Sequence, residues 1–145
     1  MKYRVVVDTN VIISAILNPH GKPTQIINAV IDGKLIFITS HAIIDEVRRV
    51  LFYPKIKRLL KKKKLATPEN ISKNFIDKLF KLANITSDKI KLDVIQDDPD
   101  DNIFLACAVE GKADFIISGD QHLTTLKNYK EIQILTPTEF INIIE

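Results

Sequence analysis

A chain of 145 residues, 46% hydrophobic and 27% charged, has the makeup of one globular domain large enough to bury a core without disulfides. Its single cysteine, Cys107, excludes an internal disulfide, and a formal net charge of +3 is too small to argue for nucleic-acid binding alone. No apolar stretch near the start reaches the length of a signal peptide or membrane span, because Asp8 and Asn10 interrupt it, so a cytoplasmic chain without membrane association is expected.

In chain order, the first predicted element is a strand over Tyr3–Val7, short and β-branched. A helix over Pro23–Asp32 follows, with proline near its start and Gly33 just past its end. Leu35–Thr39 reads as the second strand, and His41–Leu51 as a helix with Ile43, Ile44, Val47, Val50 and Leu51 at helical spacing. Thr67-Pro68-Glu69 has the form of an N-cap, an N1 proline and an early acid, and opens a helix whose stripe is Ile71, Phe75, Leu79 and Leu82. Asn102–Glu110 is a largely apolar helix closed by Gly111; Asp114–Ser118 and Ile132–Leu135 are the last two strands. Thr136-Pro137-Thr138-Glu139 is a capping box that starts a final helix carrying Phe140, Ile143 and Ile144. Strands alternating with helices predict an α/β fold, one domain over 1–145.

The first strand ends in Val7-Asp8-Thr9-Asn10, so a carboxylate stands at the lip of the sheet, where open α/β sheets bind ligands. Asp101, preceded by Asp97, Asp98 and Asp100, opens the helix at Asn102, and Asp120 follows the third strand in Ser118-Gly119-Asp120. In a parallel sheet all three fall on the carboxyl-terminal side. Glu46 borders the apolar stripe of its helix, between Ile43 and Val47, an unusual place for an acid that is neither paired nor metal-bound. Carboxylates brought to about 4 Å repel by about 4 kcal/mol per pair at an effective dielectric near 20. No basic residue adjoins these acids in sequence to neutralise them, and a hard divalent cation, Mg²⁺ or Mn²⁺, is the simple way to hold them together. Singly, each acid also fits a plainer role: Asp8 as a turn or cap residue, Asp100 or Asp101 as the cap of its helix, Ser-Gly-Asp as a turn, Glu46 as a partner of Arg48 or Arg49. The four in this order favour a site for metal-assisted phosphodiester hydrolysis.

The motifs "VVVDTNVIISAI" at Val5–Ile16, "SHAIIDEVRRVL" at Ser40–Leu51, "DPDDNIFLACAVEGKADFIISGD" at Asp98–Asp120 and "ILTPTEFI" at Ile134–Ile141 resemble the PIN domain, specifically prokaryotic PIN toxins of toxin–antitoxin systems. That resemblance spans nearly the whole chain. It implies a three-layer α/β/α sandwich with a mainly parallel sheet of four to five strands, and a Mg²⁺- or Mn²⁺-dependent endoribonuclease acting on RNA. The family acids fall on Asp8, Glu46, Asp101 and Asp120 as metal and catalytic residues. Asn10 and Ser118 fall on small polar positions beside the metal, and Asp98 on a frequent further acid. A cognate antitoxin and a homodimer are implied as partners.

Seven basic residues, Lys55, Lys57, Arg58, Lys61, Lys62, Lys63 and Lys64, lie between Pro54 and Pro68 with no acid among them. They read either as a solvated helix face or as a contact to a phosphate backbone, and no family motif covers them. The three histidines lack zinc-ligand spacing; His41 and His122 lie near the acids in sequence, where either could touch substrate, with a surface role the first expectation. Cys107 reads as a core residue. Two other functions compete: a PIN-like module that binds RNA or a partner without cutting, and a haloacid-dehalogenase-type phosphatase. The latter needs a second aspartate two residues after the first, where this chain has Asn10, which cannot donate a proton to a leaving group.

Overall fold

The structure, a computed structural model, describes residues 2–96 and 98–145; Asp97, which the sequence groups with the acidic run, lies outside the described residues. The chain runs β1 (Arg4–Val7), α1 (Thr9–Leu17), α2 (Lys22–Ile31), β2 (Ile36–Thr39), α3 (His41–Leu51), α4 (Pro54–Lys62), α5 (Pro68–Ile71), a π-helical turn (Ser72–Ile76), α6 (Asp77–Lys81) and β3 (Asn84–Ile85). A 3₁₀ turn (Pro99–Asp101) then leads into α7 (Asn102–Glu110), β4 (Phe115–Ile117), α8 (Gln121–Thr124), β5 (Asn128–Tyr129), β6 (Ile132–Leu135) and α9 (Pro137–Ile144).

The sheet order is β3-β2-β1-β4-β6-β5, with every pair parallel except β5 with β6. Four strands match those predicted. The sheet is wider than the expected four to five because β3 and β5, two residues each, carry too little pattern to be read in advance. From β1 the chain moves to β2 on one side, while β4 lies on the other, so right-handed crossovers put their helices on opposite faces. Tyr3, Phe115 and Phe140 meet edge to face, with centroids 5.1 and 5.5 Å apart, which fixes α9 on one face. On the other lies α7, so close to β2 that a Cβ on Gly111 would stand 2.5 Å from Ile38 Cγ2. Arg4, on the same side of β1, donates to the Gly111 carbonyl at 2.8 Å. The expected three-layer α/β/α sandwich follows.

The β strands Val5–Val7 and Phe115–Ile117 are buried on both faces, as parallel strands under helices must be. One predicted stripe moves. The π-helical turn inserts an extra residue into the helix after Thr67, so the buried positions become Ile71, Ile76, Leu79 and Phe80, while Leu82 is left 52% exposed. On α9, Phe140 is buried, whereas Ile143 and Ile144 are 42% and 37% exposed.

Residues 86–96 form a strap along α7, pinned at both ends by side chains of that helix. At the far end Glu110 accepts from the Ser87 amide and hydroxyl and from the amides of Lys89 and Ile90. At the near end Asn102, itself buried, accepts from the amides of Val94 and Ile95 at 3.0 and 2.9 Å and donates to the carbonyls of Ile95 and Pro99. All four hydrogen-bonding positions of its carboxamide are thereby used.

Candidate active site

β1 and β4 adjoin in register, Val7 beside Ile117, and the chain leaves them in opposite directions. This is the switch point at which an α/β sheet opens a crevice beyond its strand ends. Asp8 and Asp120 flank it. Asp8 is buried, and its Oδ1 caps α1 by accepting from the Asn10 amide at 3.3 Å. Its Oδ2 accepts from Ser118 Oγ at 2.5 Å, and Ser118 Oγ in turn accepts from the Asp120 amide at 2.9 Å. One buried hydroxyl thus ties the two strand-end acids into a fixed relation. Asp120 Oδ1 caps α8 through the His122 amide at 2.8 Å.

Asp101 arrives from the other direction. Because α7 runs antiparallel to the strands, its start lies over their carboxyl ends. Asp101 does not cap that helix: its side chain makes no capping bond, and its Oδ2 is buried with no hydrogen-bond partner. Asp98, Asp101, Asp120 and His122 each offer a ligand atom within 4.8 Å of one another. His122 Nδ1 stands 3.5 Å from Asp120 Oδ1, 3.6 Å from Asp101 Oδ2 and 3.8 Å from Asp98 Oδ2. The acids, without an adjacent basic residue in sequence, thus gain a neighbour in space: His122 is exposed, as expected, and also faces them. Its ring is exposed on one side, but α8 starts directly after Asp120 and turns the other side onto three carboxylates.

Glu46 borders the site from α3. Its Oε2 is buried and unpartnered, as is Thr9 Oγ1. The ion pair with Arg48 considered from sequence does not form, because Arg48 reaches across to Asp77 at 2.6 Å and to Ser72. Of the remaining sequence-selected residues, Asn10 is exposed and contributes its backbone amide to Asp8. The seven basic residues lie outside the cluster, all exposed on α4 and the turn after it. Lys63 Nζ donates to Asn18 Oδ1 at 3.0 Å, at the opposite end of α1 from Asp8.

The electrostatics follow from this geometry. Burial raises the Asp8 carboxyl above its ordinary range, against the hydrogen bond from Ser118. Burial, then the charges of Asp8 and Asp100, push Glu46 up to about 7, with Arg49 opposing. Asp101 is pushed up to about 8, by burial first and then by Asp120, Asp98 and Asp8. Carboxylates so destabilised, with buried oxygens on Asp101 and Glu46 that no well-placed donor satisfies, fit a hard cation, since an ion supplies the positive charge and the coordination those oxygens lack. Sequence reasoning gave Thr9 and Asn102 no role and placed His122 near the acids without counting it among the site residues. Only for His122 was there a signal, its place two residues after Asp120; burial of Thr9 and the strap clamp of Asn102 are products of folding.

Residues 4–122 match the family profile of the PIN domain. The chain is also similar, at 32% identity over its whole length and 94% of the relative's, to the uncharacterized protein MJ1680 of Methanocaldococcus jannaschii. No solved structure matches it significantly. The match covers the elements that carry Asp8, Glu46, Asp98, Asp101, Asp120 and His122, and favours the nuclease-type fold over the phosphatase alternative: the chain belongs to the PIN domain family.

Proposed function

We propose that this PIN domain is a Mg²⁺- or Mn²⁺-dependent endoribonuclease that hydrolyses RNA phosphodiester bonds, and that Asp8, Glu46, Asp101 and Asp120 hold the ion, with Asp98 and His122 at its edge. The observation that carries the reading is Asp101: a buried carboxylate with an unpartnered oxygen, set against Asp98 and Asp120 at the switch point of the sheet. When bound, a divalent ion supplies charge neutralisation at the phosphate and a more acidic water. The protein's own groups do the rest. Ser118 fixes the spacing of Asp8 and Asp120 and keeps Asp8 Oδ2 aimed inward. Asp101 Oδ2, whose proton affinity its neighbours raise, is suited to take the proton of the attacking water, with Asp120 as the other carboxylate in reach. His122 Nδ1 closes the cluster on the solvent side, 3.6 Å from Asp101 and 3.5 Å from Asp120. Asn10 and Ser118 act as supporting polar groups, and Lys55, Lys57, Arg58 and Lys61–Lys64 contact the RNA backbone.

The resemblance of the motifs to prokaryotic PIN toxins supports a role as the toxin of a toxin–antitoxin pair in the cytoplasm, inhibited by a cognate antitoxin and able to form a homodimer. No helix among the described residues is long and apolar enough to cross a membrane. The deciding experiment incubates the chain and its Asp8→Asn variant with mixed structured and single-stranded RNA, in Mn²⁺ or EDTA. Cutting by the unaltered chain in Mn²⁺ alone is expected. Cutting in EDTA, or by the variant at an undiminished rate, overturns the reading; no cutting together with no divalent-ion binding turns the assignment to a non-catalytic binding module.

A further inference from the structure

Beside the acid cluster lies a recess of about 400 Å³ lined by Val94, Ile95, Gln96, Gln121, His122, Thr125 and Leu126. Its two walls are anchored on the elements that carry the acids. One wall, Val94–Gln96, is held from behind by Asn102, the residue after Asp101. The other is α8, which begins directly after Asp120 and is capped by it. His122 belongs to both: its Nδ1 faces the carboxylates and the residue lines the recess. Whatever occupies the recess therefore shares His122 with the cluster.

The lining is suited to one class of ligand. Val94, Ile95 and Leu126 present an apolar floor, two of them partly and one fully buried. Gln96 and Gln121 stand exposed on opposite walls, and among the described residues neither carboxamide is engaged in a hydrogen bond within the protein. A carboxamide offers a donor and an acceptor side by side, the pattern that pairs with the edge of a base, and imidazole rings stack on base faces. A volume of this size accepts a nucleoside and lies within the range of small-ligand sites. An intact duplex cannot present a base edge at the bottom of a recess; an unstacked base can.

We propose that this recess is a base-binding subsite that takes one unpaired nucleobase of the RNA next to the scissile phosphate, read by Gln96 and Gln121 and stacked against His122. The assignment to RNA rests on the nuclease reading above, whereas binding of the base itself does not. The test therefore uses uncharged nucleosides, which carry no phosphate for an ion to hold. Adenosine, cytidine, uridine and inosine, with ribose as control, are titrated into the full chain in EDTA while its amide resonances are followed by NMR. Saturable shifts of the Gln96 and Gln121 side-chain amides and of the His122 and Thr125 backbone amides are expected, with affinities differing about tenfold between the best and worst nucleoside, and the backbone shifts are lost in Gln96→Ala/Gln121→Ala. Asp101→Asn keeps these shifts while abolishing cleavage. In the cleavage assay the double variant still cuts, but its base preference beside the cut flattens. No shift at either glutamine, or equal shifts with all nucleosides and with ribose, overturns the subsite even if the chain cuts RNA. Selective nucleoside binding without any cutting overturns the nuclease reading and leaves the subsite standing.

Discussion

Replacing Asp101 by Asn should make the metal-free protein more stable and the metal-bound protein less so. The carboxyl ordinarily titrates at 3.8 and is pushed up to about 8 in the fold. Between those values the folded chain binds more protons than the unfolded one, so stability falls as pH rises through that window and is unaffected below about pH 3.8. At pH 7 the chain lies roughly three pH units into it, and at about 1.4 kcal/mol per unit the ceiling on the cost is about 4 kcal/mol. The cluster is open to solvent on the His122 side, which screens part of this, so a net gain of about 1–3 kcal/mol is expected for the variant. At about 3 °C per kcal/mol for a chain of this size, the melting temperature in EDTA should rise by about 3–9 °C at pH 7 and converge with the parent near pH 4. Scanning calorimetry from pH 4 to 8.5, in EDTA and in Mn²⁺, measures both arms. In Mn²⁺ the parent should gain stability by linkage and the variant should gain little. A variant less stable than the parent in EDTA at pH 7, or a difference independent of pH, refutes the claim that Asp101 is held there at an electrostatic cost.

Asn102→Ala should release the strap at its near end, leaving the Val94 and Ile95 amides without their acceptor. A loss of about 2–4 kcal/mol in denaturant midpoint is expected, with faster hydrogen exchange at those two amides; unchanged exchange there removes the clamp from the explanation. Gly111→Ala should destabilise by about 1–3 kcal/mol, since its Cβ would meet Ile38 Cγ2 at 2.5 Å where α7 crosses β2; thermal unfolding equal to the parent would mean the layers separate freely. Lys61–Lys64→Ser should weaken RNA binding and flatten the slope of affinity against salt, and a slope that does not change returns these residues to a solvated face.

Much of the fold is legible because its signals are local. A run such as Val5–Val7 or Phe115–Ile117 has one reading, a strand buried on both faces, and the Thr136–Glu139 capping box forms as written, its Thr136 hydroxyl accepting from Glu139 and its Glu139 carboxylate accepting from Thr136. Strand-end positions of Asp8 and Asp120 follow directly from such runs. Weak or shifted periodicity hid the rest. β3 and β5 are too short to show alternation, and the π-helical turn displaces a stripe by one residue without any mark in composition.

What the sequence by itself determined is an inventory and an address: an alternating α/β chain, with acids at the carboxyl ends of its strands and at the start of one helix. Tertiary structure alone decided how those acids stand to one another. Asp101 lies next to Asp120 only because α7 crosses the sheet antiparallel to its strands; His122 joins them because α8 turns it back onto the cluster. Glu46 is freed of Arg48 because Asp77, from a distant helix, takes that arginine. Such pairings depend on separations of tens of residues closed by packing, and on which of several competing partners lies within about 4 Å, which no local pattern encodes.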